Sequence, residues 1–201
     1  MIDELRIYTV AAGAMNAYMH AAEHVAVPVR GDRHGRLIGF WTGALGAVNR
    51  VFNLWRHQSL DTRQAVREQL QALDGWKNDY LPRVRPLMLD QTIRLMDSVI
   101  VLDPPGRHAI YESRFYRARP GHAAQLAKGL AESAARDRTI GLWTTIAPDP
   151  NEVVQLCGFD SIDERFATMR TAPADILSEH GARIDRVESS LLVPANHSPL
   201  G

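Results

Sequence analysis

Two short strings carry residue types suited to acid–base chemistry. Glu4, Arg6 and Tyr8 stand at alternate positions, and Glu112, Arg114 and Tyr116 repeat them 108 residues later. An arginine can hold a carboxylate or enolate through two parallel hydrogen bonds, a phenol can donate a proton, and a desolvated glutamate can accept one. The same trio also has a purely structural reading, a Glu–Arg pair that fixes strand register with tyrosine capping it. Asn53, Trp55 and His57 alternate in the same way. His57 is the first choice for a titrating group, because an unperturbed imidazole changes charge near neutral pH. Asn53 and Trp55 would touch the ligand beside it, Arg6, Arg114 and Glu112 would bind it, and Tyr8, Tyr116 and Glu4 would move protons.

The elements that must position these residues follow from periodicity. Residues 2–10 alternate apolar and polar as a strand does, placing Leu5 and Ile7 on one face and Glu4, Arg6 and Tyr8 on the other. Helices are expected to cover the apolar face, which sends the charged residues into the interior between two sheets. Met15, Tyr18, Met19, Ala22, Val25 and Ala26 then recur at helical spacing. Residues 39–43 and 48–56 read as a hairpin, Ser59 as the N-cap of an amphipathic run through Leu73, and residues 87–96 as a closing strand.

The second half writes the same order again. Gly39-Phe-Trp41-Thr42 returns as Gly141-Leu-Trp143-Thr144, and Asn49, Val51, Leu54, Ser59 and Arg63 return as Asn151, Val153, Leu156, Ser161 and Arg165, all 102 residues later. Ser161 and Glu164 form a capping-box pattern, and residues 187–193 make a last strand. Because the offset falls from 108 to 102, the first half holds six extra residues, around "VPVRGDRHGR". They could lid a pocket mouth or form a solvated loop.

Each half therefore reads β-α-β-β-α-β, the ferredoxin-like order. The fold class expected is α+β, with two tandem ferredoxin-like units forming a dimeric α/β-barrel-type architecture. The units span 1–102 and 110–194, joined by a linker at 103–109 and followed by a flexible tail at 195–201. One such sheet leaves a bare face, and two copies can cover each other. The repetition of Trp41 as Trp143 favours core packing, although Trp41 also counts among the candidate ligand contacts.

Composition removes several function classes. The 201 residues hold 23 Lys plus Arg against 23 Asp plus Glu, so neither nucleic acid nor an anionic membrane is an expected partner. Cys157 is the sole cysteine, which excludes an internal disulfide and any multi-cysteine metal site. The acidic start "MIDELRIY" lacks a signal-peptide pattern, and no apolar run approaches about 18 residues. A cytoplasmic protein without membrane insertion is expected. "HAAEH", His20 to His24, matches the H-x-x-E-H zinc pattern, but both histidines lie opposite the apolar stripe of their helix, so no metal is assigned. No P-loop, Rossmann glycine pattern or G-x-S-x-G is present, and nothing requires a cofactor.

The combination "ELRIY…G…HGRLIGFWT…GAVNRVFNLWRHQSLDTR…LDGW" resembles the NIPSNAP family of the dimeric α+β barrel superfamily, in detail over the first half and more weakly over the second. The chain departs from the family pattern at Gly43-Ala44 (a Thr-Glu pair in relatives), Asn53 (histidine) and His57 (tyrosine). The resemblance implies the barrel fold. The superfamily holds cofactor-free monooxygenases, isomerases and cyclases together with haem enzymes. The leading expectation is a small, partly aromatic or enolisable metabolite bound between the sheets, with cofactor-free acid–base chemistry and possible pairing into a homodimer or larger homo-oligomer. The alternatives are a non-catalytic scaffold or interaction protein with a filled core, and a haem protein using His34, His57 or His108.

Overall fold

The computed structural model describes residues 1–46, 48–104, 106–133, 138–169 and 180–201. Pro105 of the expected linker, and residues 134–137 and 170–179 of the second half, lie outside the described residues. The first half runs β1 (Ile2–Val10), α1 (Met15–Ala21), α2 (Val27–Arg30), β2 (Arg36–Leu45), β3 (Arg50–His57), α3 (Leu60–Ala72), α4 (Leu81–Val84) and β4 (Met88–Ile100). The second runs β5 (Ile110–Ala118), α5 (Ala123–Glu132), β6 (Thr139–Ala147), β7 (Glu152–Phe159), α6 (Ile162–Met169) and β8 (Ile184–Pro194). Both helix starts read from the sequence form as expected. Ser59 Oγ accepts from the Thr62 amide at 3.1 Å, and Ser161 Oγ from the Glu164 amide at 3.1 Å.

Eight antiparallel strands close a barrel in the order β1-β3-β2-β8-β5-β7-β6-β4. Closure comes from two pairings between the halves, β2 with β8 and β4 with β6, so every barrel strand is hydrogen-bonded on both sides. The interior is apolar and packed. Leu5, Ile7, Phe52, Leu54, Met96, Trp41 and Trp143 form one cluster with Val154, Leu156 and Leu192. A void of about 20 Å³ remains among them.

The repeated Gly-x-Trp has a local cause. A Cβ at Gly39 would lie 2.1 Å from the Trp41 ring, and one at Gly141 would lie 2.2 Å from the Trp143 ring. Each indole folds back over the glycine two residues before it, so the glycine clears the tryptophan of its own strand rather than a neighbouring helix or strand. Trp143 Nε1 donates to Asp3 at 2.8 Å, and Asp3 also takes two bonds from Arg56, at 2.7 and 2.9 Å.

One expectation is corrected. Leu5 and Ile7 face the barrel lumen, and Glu4, Arg6 and Tyr8 face the helices, the reverse of the expected orientation. A charge on the inward side needs its own buried partner, as Asp3 has in Arg56, and none among the described residues is supplied for Glu4 there, whereas α3 carries Arg63 and Arg67 to meet Glu4 on the outside. The expected tail, 195–201, packs against the barrel. Leu200 is fully buried in the barrel cluster, its carbonyl accepts from the Tyr111 hydroxyl at 2.6 Å, and Ser198 Oγ accepts from the Phe40 amide at 3.0 Å. A leucine inserted at the barrel mouth removes apolar surface from water, which outweighs the loss of tail freedom.

Candidate functional site

The outer face of β1 and β3 gathers the first-half candidates, because cross-strand partners share a side: Glu4 stands opposite Trp55, Arg6 opposite Asn53 and Ile2 opposite His57. Glu4 is fully buried and central. Its carboxylate takes bonds from Arg6 Nε and Arg63 Nε, with Arg67 Nη1 at 3.7 Å and His57 Nε2 at 3.9 Å. Burial pushes the carboxyl up, but Arg6 and Arg63 outweigh it and hold Glu4 below its ordinary range. Glu4 is thus an ionised anchor. Burial likewise opposes the charge of Arg6, and Tyr8 and Glu4 more than restore it.

Arg6 Nη1 donates to the Tyr8 hydroxyl at 3.1 Å, which leaves the phenolic proton free to point elsewhere. Asn53 is taken up by Trp55, whose Nε1 donates to Asn53 Oδ1 at 2.7 Å. His57 lies beneath Gly35, where an added Cβ would meet its ring at 2.6 Å, and its Nε2 has no hydrogen-bond partner. Burial drives its pKa down to about 4, Glu4 opposing and Arg30, Arg63 and Arg6 assisting. His57 is therefore neutral at pH 7.

Beside this network opens a half-enclosed pocket of about 450 Å³ between β1, β4 and the helices that follow α3. Arg6, Tyr8 and Arg67 reach it from the candidate cluster, and Trp76, Lys77, Tyr80 and Arg85 come from the segment 75–87. Among the described residues no Asp or Glu lines it. Trp76 and Tyr80 sit ring to ring at 4.5 Å; burial and then Tyr8 keep Tyr80 protonated against the opposing hydrogen bond with Tyr18, and burial and then Tyr80 keep Tyr18 protonated. Sequence reading missed this wall, although Trp76, Tyr80 and Val84 at four-residue spacing carry a helical signal.

The second-half candidates form a parallel network of different character. Glu112 accepts from Arg114 Nε at 3.0 Å and Arg165 Nη2 at 2.6 Å. Gln155 Oε1 takes the Tyr116 hydroxyl at 2.7 Å and Arg114 Nη1 at 3.4 Å. Burial raises the Glu112 carboxyl and Arg114 and Arg165 more than reverse it. Trp41 lies in the barrel, edge-on to Tyr111 at 5.6 Å, and touches neither network. Of the residues expected to meet a ligand, Arg6 and Tyr8 line the pocket, and Glu4, Asn53, Trp55 and His57 stand behind them.

The histidines considered for haem are otherwise engaged. The His34 ring binds the Arg30 carbonyl at 2.7 Å, His108 binds Asp160 at 2.9 Å, and His57 is covered by Gly35. His20 and His24 are exposed, and among the described residues no group of three His, Cys, Asp or Glu could hold a metal ion.

A closed eight-stranded antiparallel barrel with helices outside and a polar cluster against its outer wall defines a protein of the dimeric α+β barrel type. The chain overlays on a candidate monooxygenase from Fusobacterium nucleatum (12% identical, 96% of this chain and 91% of that one, TM-score 0.68). It also overlays on one from Lactobacillus acidophilus (13%, 96% and 93%, TM-score 0.66). Within that class the chain belongs to the NIPSNAP family, whose model matches residues 3–102. The human NipSnap homolog 3B is 24% identical over 98% of this chain and 85% of its own. No helix among the described residues is long and apolar enough to cross a membrane.

Proposed function

We propose that the protein binds a small, partly aromatic or enolisable anion in the pocket on the outer face of β1, and that it moves a proton on that ligand without a cofactor. The observation that carries this reading is a pocket of about 450 Å³ lined by Arg6, Arg67, Lys77 and Arg85 with no carboxylate, beside the rings of Trp76 and Tyr80. Arg6 and Arg67 share the single carboxylate of Glu4, and Lys77 and Arg85 have no ion-pair partner among the described residues, so the positive charge in excess selects an anion, and adjacent aromatic rings select a flat body. Tyr8 accepts from Arg6, so its own proton can be donated to an enolate or phenolate oxygen. Isomerase, cyclase and cofactor-free monooxygenase chemistry all pass through such a species. The overlay on candidate monooxygenases is consistent with this class through the fold alone.

A further part of the reading is that residues 1–102 and 110–194 are two fused ferredoxin-like units joined by 103–109. Its support is the matching strand order within each half, β4-β1-β3-β2 and β8-β5-β7-β6. The lone buried Cys157 favours the cytoplasm, and pairing with a second copy would use a helix face, because the barrel leaves no open strand edge.

A non-catalytic interaction protein is the second reading, favoured by the filled barrel with its void of only about 20 Å³. Native mass spectrometry of the purified protein, repeated with Arg6→Ala and Tyr8→Phe, separates the two. A co-purified small anion that is lost in Arg6→Ala is the expected result. A ligand-free protein that also fails to bind any aromatic acid at millimolar concentration would leave the interaction protein standing.

A further inference from the structure

The extra residues of the first half end α2 on Arg30, which is only 4% exposed. Its guanidinium carbon lies 3.3 Å from the centroid of the Trp55 ring. Arg30 Nε donates to the His34 carbonyl at 3.0 Å, and the His34 ring bonds back to the Arg30 carbonyl at 2.7 Å. These contacts fix the plane of the guanidinium. They leave both Nη atoms without an acceptor among the described residues, and neither Nη is sealed from solvent.

A buried arginine ordinarily meets a carboxylate. Among the described residues the carboxylate that acts on Arg30 most strongly is that of Glu4, which already serves Arg6, Arg63 and Arg67. Arg6, Tyr8 and Tyr80, which Arg30 also feels, all line the pocket. We infer that Arg30, which stands behind the lining of that pocket and not in it, completes an anion site there, its two open Nη positions reaching the carboxylate of an aromatic or enolisable acid whose body rests against Tyr80 and Trp76. The planar fork of a guanidinium matches a carboxylate through two parallel bonds. Burial and the neighbouring Arg6 pull the Arg30 pKa down to about 9, a penalty that a bound anion would relieve.

The second half lacks the device. It has no counterpart of the six extra residues, and the position matching Trp55 is Cys157, so one barrel holds one such site. This inference rests on the pocket reading above and deepens it by naming the ligand's acidic group and the residue that holds it.

The test uses benzoate as probe and benzamide as its neutral isostere, read by thermal melting and tryptophan fluorescence in HEPES without added salt. Benzoate should bind the wild-type protein and raise its melting temperature, and benzamide should do neither. Arg30→Met should melt at or above the wild-type temperature without ligand, since it removes an unpaired buried charge, and should bind benzoate at least about tenfold more weakly. If Arg30→Met does not fold, Arg30→Lys decides instead: it keeps the charge without the fork and should also lose about tenfold. Equal benzoate affinity in wild type and the variant that decides would overturn the role of Arg30 and leave the pocket standing. Binding of benzamide as tight as benzoate would overturn the carboxylate assignment. Failure of the wild-type protein to bind either probe would overturn the pocket reading and this inference together.

Discussion

The outer faces of β1 and β5 are built on the same Glu-x-Arg-x-Tyr frame and end in opposite states. On β5 two arginines share Glu112 and Gln155 accepts from Tyr116 and Arg114, while Arg165 keeps Nε and Nη1 buried without a hydrogen-bond partner among the described residues. On β1 one carboxylate faces Arg6, Arg63 and Arg67 at close range and Arg30 further out, and Asn53 is committed to Trp55. One methylene separates the two amides. Gln155 reaches the arginine and the phenol, whereas Asn53 stops at the indole. Under the reading proposed above, the larger cation surplus of the β1 face, three close arginines and Arg30 on one carboxylate against two on Glu112, is what a bound anion would complete.

The sharpest way to break this contrast is to remove the two carboxylates in turn. Glu4→Gln should destabilise the fold by about 3–5 kcal/mol, since it strands several buried cations at once, and Glu112→Gln should cost less. Urea denaturation at pH 7 measures both, and equal losses would dissolve the asymmetry. Next in size is the exchange of His57 for its second-half equivalent, Phe159. Burial holds the folded pKa of His57 at about 4 against an ordinary value of 6.5, so its contribution is fully present above pH 6.5 and fades as pH falls toward 4. His57→Phe should flatten that decline, with a gain on the order of 2 kcal/mol at pH 4.5 relative to its value at pH 7. Glu4, held below its ordinary value of 4.5, adds its loss mainly at lower pH, and His197, also lowered by burial, titrates in the same window in both proteins, so the difference between the wild-type and His57→Phe curves from pH 7 to 4.5 isolates the imidazole. The smallest effect separates the tyrosines. Tyr116→Phe removes a buried hydrogen bond to Gln155 and should cost about 1 kcal/mol, whereas at Tyr8→Phe water entering the pocket can replace the phenol and the cost should stay below about 0.5 kcal/mol. A larger stability loss in Tyr8→Phe than in Tyr116→Phe would place Tyr8 in the scaffold instead of the pocket.

Much of this was legible in the chain. Alternation over residues 2–10, the paired caps at Ser59 and Ser161 and the core packing of Trp41 and Trp143 appear in the fold as read. The inward and outward faces of β1 were not legible. A period of two says that Leu5 and Glu4 lie on different sides, and only the pairings of β2 with β8 and β4 with β6 decide which side becomes the lumen. Arg30 was hidden for a related reason. Tyr18, Ala22, Ala26 and Arg30 share the buried face at four-residue steps, which a regular α-helix would rotate by ~40° each time. A π turn at Ala22–Ala26 takes up part of that drift and delivers Arg30 to Trp55. Nothing in the order of residue types announces that turn. Likewise Leu200 reads as a stray apolar residue in a polar tail until the barrel mouth it enters exists.

The closure of one barrel from both halves of a single chain also changes what a sequence is free to become. Two identical chains meeting across a twofold axis must carry every insertion twice, at both ends of the barrel, and bear its consequences for packing twice. Here the partner of β2 and β4 is a different stretch of the same molecule, so a loop added before β2 has no obligatory twin before β6. Joining the halves thus releases the molecule from its own symmetry. One face can lose stability to gain a binding role while its sister holds the frame.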